Sequence, residues 1–171
     1  LNTKFALTNN KIKNPWYYEM QQLGYNYRLN DIQASLGISQ LSKIDKFIDK
    51  RRKISLKYDY AFRNLKNCKA IHKQFREISS NHLYILRIKL KKLKFSKAEL
   101  MKILLERGII TQVHYIPIIF HPFYKKNYKR DKFEIINAMK YYDECLSLPI
   151  FYDLTSSMQN KVIYEIKRLI G

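Results

Sequence analysis

The chain has 171 residues, 46% of them apolar, and carries 33 Lys and Arg against 14 Asp and Glu, a formal net charge of +19 at pH 7. That apolar fraction excludes a wholly disordered chain and suffices for one domain, or a small domain with extensions. No apolar run reaches the roughly 20 residues of a membrane span, no signal-peptide pattern opens the chain, and two distant cysteines, Cys68 and Cys145, exclude a disulfide scaffold and fit a reducing, cytoplasmic compartment. The charge points two ways. It suits nucleic acid, an anionic membrane or phosphorylated substrates. It also fits a compositional bias, because Lys, Ile, Asn and Tyr are abundant while Gly and Pro are scarce. The densest basic run is only "KLKKLKF" at 89–95.

In chain order, residues 1–24 are polar and aromatic. "NPWYYE" (14–19) reads as turn or extended chain, since Pro15 restricts the residue before it. The second part, 25–66, begins with the turn "GYNYRLND" (24–31) and continues into an amphipathic run. Asn30 is its predicted N-cap, with Gln33 at N3 as a capping-box partner. Ile32, Leu36, Leu41, Ile44, Phe47, Ile48, Ile54, Tyr58 and Ala61 share one face, which predicts a single helix of about 30 residues and about 45 Å bridging two bodies.

The third part, 67–171, changes period. "HLYILRIKL" (82–90) reads as a strand. "SKAELMKILLERG" (96–108) reads as a helix with Ser96 as N-cap, Glu99 at N3 and Gly108 at C′. "IITQVHYI" (109–116) is a second predicted strand, entering a loop punctuated by Pro117 and Pro122. A helix over 131–146, an extended exit over 147–151 and a closing helix over 155–170 capped by Thr155 complete the chain. The order helix, strand, helix, strand, helix, helix predicts a small α+β domain.

The chemistry-bearing residues are few. Asn26 and Arg28 place an amide donor and a guanidinium just ahead of a helix N-terminus. That arrangement suits a phosphate, and equally a helix start with incidental polar residues. His82 stands at a strand start, and His114 and Tyr115 stand at a strand end before a proline-rich loop. Each is either a site residue or a packed structural one. Asp143 and Glu144 show no acid/base partner in sequence, and neither a metal-ligand spacing nor a glycine-rich phosphate loop is present.

"GYNYRLNDIQASLGISQLSKIDKFIDKRR" (24–52) resembles the signature of the DegT/DnrJ/EryC1/StrS sugar aminotransferases: G-Y-N-x-R, then a D-x-Q/A-A-x-G-x-x-Q-L helix. The likeness continues through "SSNHLYILRI" (79–88), "RGIITQVHYIPI" (107–118), "HPFY" (121–124), "SLPIF" (147–151) and the closing helix. It is nearest to the transaminases that make UDP-linked 4-amino-4,6-dideoxy hexoses for surface glycans. The resemblance implies the small C-terminal domain of a fold-type-I enzyme dependent on pyridoxal phosphate. By it, Asn26 crosses a dimer interface to hydrogen-bond the cofactor phosphate of the neighbouring subunit. Arg28 meets the substrate's phosphate charge, His114 and Tyr115 face the sugar nucleotide, and Tyr27 and His82 are further substrate-binding residues. Many relatives have a histidine where Ile119 stands, a departure in the sugar-recognition loop.

The resemblance covers only the C-terminal part of the family. The large domain, with the Schiff-base lysine and the acidic partner of the pyridine nitrogen, is expected upstream of residue 1 or on another polypeptide. The chain alone is therefore expected to contain no catalytic residue, to hold the cofactor non-covalently at most, and to be inactive. Its expected partners are a second copy, the cofactor domain, a nucleotide sugar and an amino donor, with no membrane. Two alternatives stay open: a non-catalytic relic or interaction module, and a basic nucleic-acid-binding helical domain. The latter is disfavoured because no reading motif is present and the aromatics fall on core faces.

Overall fold

Helix formation begins where Asn30 and Gln33 cap one another. Asn30 Oδ1 accepts from the Gln33 N–H at 2.9 Å and Gln33 Oε1 from the Asn30 N–H at 3.2 Å, the reciprocal box expected from the sequence. The computed structural model describes residues 24–71, 73–117, 120–121 and 135–171. The expectations for residues 1–23, for Ile119, for the loop beyond His121 and for the helix start at 131–134 lie outside them. The chain divides into two units, Leu1–Leu41 and Ser42–Gly171.

The first unit carries helix α1, Asp31–Leu41, which buries none of its residues. Tyr25, Tyr27, Leu29, Ile32, Leu36, Ile38 and Leu41 are all exposed. The second unit opens with α2, Ile44–Phe62. The predicted single long helix is thus corrected to two helices, interrupted at Ser42 and Lys43. α1 buries none of its residues while α2 buries Ile54, Ser55, Tyr58 and Phe62, so no continuous packed stripe holds the whole run as one straight helix.

Three strands follow in the second unit: β1 (Cys68–Ala70), β2 (Tyr84–Ile88) and β3 (Cys145–Leu148). They form an antiparallel sheet in the order β1-β2-β3. Cys68 faces Ile88 in the first pair, while Tyr84 faces Leu148 and Arg87 faces Cys145 in the second. Helix α3 (Lys97–Glu106) follows β2, α4 (Ile136–Glu144) leads into β3, and α5 (Ser156–Ile170) closes the chain. The result is the mixed helix and small-sheet architecture expected.

Both ends of α3 match the reading of the sequence. Ser96 and Glu99 form a full capping box. At the other end Gly108 takes φ +72°, its N–H bonding Leu105 O at 2.8 Å and the Ile109 N–H bonding Leu104 O at 2.9 Å, the two bonds of a Schellman cap. Thr155 caps α5 through the Met158 N–H.

Two strand expectations need correction. The segment 109–116 forms a single bridge, Gln112 to Ser147, instead of a strand. Its partner β3 is only four residues long, and the following Pro149 has no N–H to extend a ladder. The segment read as the end of a helix and an extended exit is itself β3, because α4 stops at Glu144 and Cys145 turns extended (ψ 138°).

Strand period 2 sorts the sheet into two faces. Tyr84, Leu86 and Ile88, with Leu146 and Leu148, point into one core shared with Ile54, Tyr58 and Phe62 of α2, Leu100 and Leu104 of α3, and Val162, Ile166 and Ile170 of α5. The rings of Tyr58 and Tyr84 lie 4.8 Å apart, and those of Tyr58 and Phe62 stack at 5.7 Å. Ile85, Arg87, Cys145 and Ser147 therefore occupy the opposite face. Buried polar groups are tied across elements: Gln159 Nε2 donates to Ile54 O at 2.8 Å and Tyr58 Oη to Pro149 O at 3.0 Å.

Candidate functional site

The second face of the sheet holds one cluster of polar residues. His114 Nδ1 and Ser147 Oγ are 2.7 Å apart, and which of them donates depends on the imidazole tautomer. The Gln112–Ser147 bridge fixes the chain just before His114, with N–H···O distances of 3.2 and 2.7 Å. The His114 and Tyr115 rings meet edge to face at 4.5 Å. Tyr115 is 71% exposed and, with Val113, Ile116, His121 and Tyr142, lines an open cleft of about 530 Å³.

Around this cleft the charges are already engaged. Lys97 Nζ lies over the Tyr142 ring at 4.3 Å and donates to the Tyr142 carbonyl. Arg87 Nε donates to Glu144 Oε2 at 2.8 Å, a partner for Glu144 that the sequence had not revealed. Cys145 is 1% exposed, its thiol points at the Tyr142 and His114 carbonyls, and burial pushes its pKa up. A buried thiol held in its neutral form is a poor nucleophile.

The other predicted residues sit elsewhere. Asn26, Tyr27 and Arg28 lie in the first unit, in the exposed extended turn before α1, where the Tyr25 and Tyr27 rings are 5.7 Å apart. Both Asn26 and Arg28 precede the Asn30 N-cap, so an amide and a guanidinium lie in the chain just ahead of α1. An amide and a guanidinium are donors of the kind a phosphate takes, which is the chemistry expected of Asn26 toward the cofactor phosphate and of Arg28 toward the substrate phosphates. His82 is exposed, two residues ahead of β2, and does not line the Tyr115 cleft. The structure therefore brings His114 and Tyr115 together, and His82 stands apart from them.

Beside His82 lies a polar network absent from the sequence reading. Arg76 is 5% exposed, and its guanidinium bonds Asp59, the Ile71 carbonyl and Asn81 Oδ1. Tyr84 Oη donates to Asp59 Oδ1 at 2.9 Å. Asn81 adopts φ +50°, and its side-chain amide donates to the carbonyls of Arg76 and Ser79. The only sequence cue was the Ser-Ser-Asn triplet before the strand, since Asn tolerates left-handed backbone. Burial pushes the Tyr84 hydroxyl well above its ordinary value, and the Asp59 charge adds to that. Two more residues the sequence had not singled out are Ser147 and Arg87. Strand alternation would have put both on the face away from the core, but only the register of β2 and β3 shows which face that is.

Among the described residues no group of three or more metal-ligand side chains is present, and no helix is long and apolar enough to cross a membrane.

The small antiparallel sheet packed against α2, α3 and α5 is an architecture shared with solved sugar aminotransferase structures. Residues 4–167 match the DegT/DnrJ/EryC1/StrS aminotransferase family, and the chain belongs to it. It is 37% identical over 142 residues to UDP-4-amino-4,6-dideoxy-N-acetyl-beta-L-altrosamine transaminase of Campylobacter jejuni, covering 83% of this chain and 37% of that protein. The crystal structure of Helicobacter pylori PseC, an aminotransferase involved in the biosynthesis of pseudoaminic acid, superposes with a TM-score of 0.76 at 29% identity, covering 98% of this chain and 43% of that one. The PLP-form of the putative sugar aminotransferase Spr1654 from Streptococcus pneumoniae superposes with a TM-score of 0.71 at 25% identity, over 98% of this chain and 41% of that one. The chain spans about two fifths of the length of the curated relatives it matches.

Proposed function

We propose that this chain is the C-terminal portion of a pyridoxal-phosphate-dependent nucleotide-sugar aminotransferase of fold type I, serving amino-sugar synthesis for surface glycans. The observation that carries the reading is the exposed Asn26–Arg28 donor pair at the reciprocally capped start of α1, within a chain that belongs to this family. When bound, the cofactor supplies the electron sink that moves an amino group between the donor and a keto-sugar.

The chain's own residues bind and orient. Asn26 donates to the cofactor phosphate of a neighbouring subunit. Arg28 matches the diphosphate charge of the nucleotide, and Tyr27 offers an exposed ring beside it. With Nδ1 of His114 engaged by Ser147, Nε2 is the nitrogen left to meet a sugar hydroxyl, and Tyr115 supplies a ring face and a phenol. His82 is a further substrate contact in this reading. The lysine that bonds the cofactor covalently lies outside this chain, so the chain alone is inactive and works as a subunit completed by a cofactor domain. Exposed Ile32, Leu36 and Leu41 on α1 support association with a second copy. The same helix supports the second reading, an interaction module without catalysis.

Incubation with pyridoxal phosphate, borohydride reduction and peptide mass mapping test this directly. The expected result is no site-specific reduced adduct on the chain alone. Fusion behind the cofactor domain of the Campylobacter jejuni transaminase should restore transamination of a UDP-linked keto-sugar, and Asn26→Ala should lower it. A stable adduct on one lysine of the isolated chain contradicts the proposal.

A further inference from the structure

A second cleft, of about 630 Å³, lies between the 3-10 turn Leu90–Lys92 and α4. It shares no lining residue with the cleft that holds Tyr115. Its volume falls within the roughly 300–1,000 Å³ of small-molecule sites. Leu90, Ile136 and Met139 supply its apolar lining, and Ile136 stands 65% exposed at the edge. Lys89, Lys91, Lys92 and Lys140 surround that lining.

The charge balance favours an anion. Two carboxylates also line the cleft, Asp143 and Glu144, but Arg87 already holds Glu144 through Nε and Nη2. Among the described residues none of the four lysine ammonium groups has a carboxylate partner. Lysines at an apolar wall lay their methylene stems along it and hold the ammonium at the rim. A ligand seated there would meet hydrocarbon inside and positive charge at the mouth.

We propose that this cleft binds an amphipathic organic anion: a phosphate, sulfonate or carboxylate carried on an apolar or aromatic body. A bare inorganic anion would gain nothing from Leu90, Ile136 and Met139. A polyanion backbone lying over the lysines would leave the concave apolar lining wet. Only a ligand with both parts uses both features, the apolar body contributing by area removed from water and the anion by proximity to several ammonium groups.

The probe is 8-anilinonaphthalene-1-sulfonate, an aromatic sulfonate, titrated by fluorescence and calorimetry into the whole chain and three variants. The first combines Lys91→Glu with Lys140→Glu, the second is Met139→Glu, and the third is Tyr164→Glu, an exposed position on α5 outside the cleft. Far-ultraviolet circular dichroism confirms that each variant folds. One saturable site is expected in the wild type, weakened about tenfold or more in the first two variants, as loss of two nearby charges or of the apolar wall requires, and unchanged in the third. Amide shifts on binding should centre on Met139 to Glu144, a readout that does not depend on any variant folding. Inorganic phosphate at matched ionic strength should displace the probe poorly. The proposal is overturned by equal binding in all variants, by the absence of saturable binding, or by shifts confined to α1. Full displacement by phosphate, or by duplex DNA, overturns it as well, since either would show a site for bare anionic charge.

Discussion

Arg76 Nε lies 3.0 Å from Asp59 Oδ2 and its Nη2 3.3 Å from Asp59 Oδ1, a two-point pair joining the α2 helix to the loop ahead of β2. The side chains are only 6% and 13% exposed. The rest of the guanidinium is also engaged: Nη1 donates to Asn81 Oδ1 at 3.4 Å, Nη2 also reaches the Ile71 carbonyl at 3.1 Å, and the guanidinium carbon sits 4.9 Å from the centre of the Tyr84 ring. Removing one partner of such a pair strands the other charge away from water. Asp59→Ala should therefore lower stability by about 3–5 kcal/mol, and Tyr84→Phe, which removes one neutral donor, by about 1 kcal/mol. Urea titration at neutral pH reads both. A loss under about 1 kcal/mol for Asp59→Ala would show that the pair is solvated in solution.

The start of α3 makes a pH-dependent prediction. Hydrogen bonds from the Ser96 N–H and hydroxyl hold the Glu99 carboxyl below its ordinary value of 4.5. A carboxyl whose folded pKa is depressed contributes stability that is present above its unfolded pKa and is lost as pH falls through the folded one. Ser96→Ala should cost about 1 kcal/mol at pH 7, the usual loss for an N-cap. That cost should shrink below pH 4.5, because protonated Glu99 is a weaker acceptor. A cost that is constant between neutral and strongly acid solution would remove Glu99 from the cap.

Assembly should depend on the exposed apolar residues of α1 and of the start of α2. Leu36 and Ile44 are 62% and 43% exposed, and apolar side chains so placed favour association. Sedimentation equilibrium is expected to show a dimer or larger species for the wild type. Leu36→Glu combined with Ile44→Glu should dissociate it, with helix content retained. A wild-type chain that stays monomeric at high concentration would refute the assembly proposed above.

The charge of +19 makes a last prediction. If it is mostly solvated surface, duplex DNA should bind without sequence preference. Affinity should fall linearly on a logarithmic salt scale and collapse near physiological ionic strength. Sequence-selective binding that survives there would restore the nucleic-acid reading that the chain's motifs disfavour.

Local chemistry is what the sequence by itself determined. The Asn30–Gln33 and Ser96–Glu99 boxes, the Gly108 cap, the Thr155 cap and the strand at Tyr84–Ile88 depend on residues within a few positions of one another, so spacing alone reveals them. The family signature in residues 24–52 is legible for the same reason. Tertiary structure decided what depends on distant partners. The amphipathic run is divided at Ser42 and Lys43, its first part burying nothing while its second packs Ile54, Tyr58 and Phe62 into the core. The segment around Gln112 stays a single bridge because its partner is four residues long and ends at a proline. Arg76 meets Asp59 across 17 positions, Arg87 meets Glu144 across 57 and His114 meets Ser147 across 33. The first needs the loop ahead of β2 to return to α2. The last two exist only once the sheet register has chosen which side chains share a face, a choice made by burying Tyr84, Leu86 and Ile88 against α2, α3 and α5.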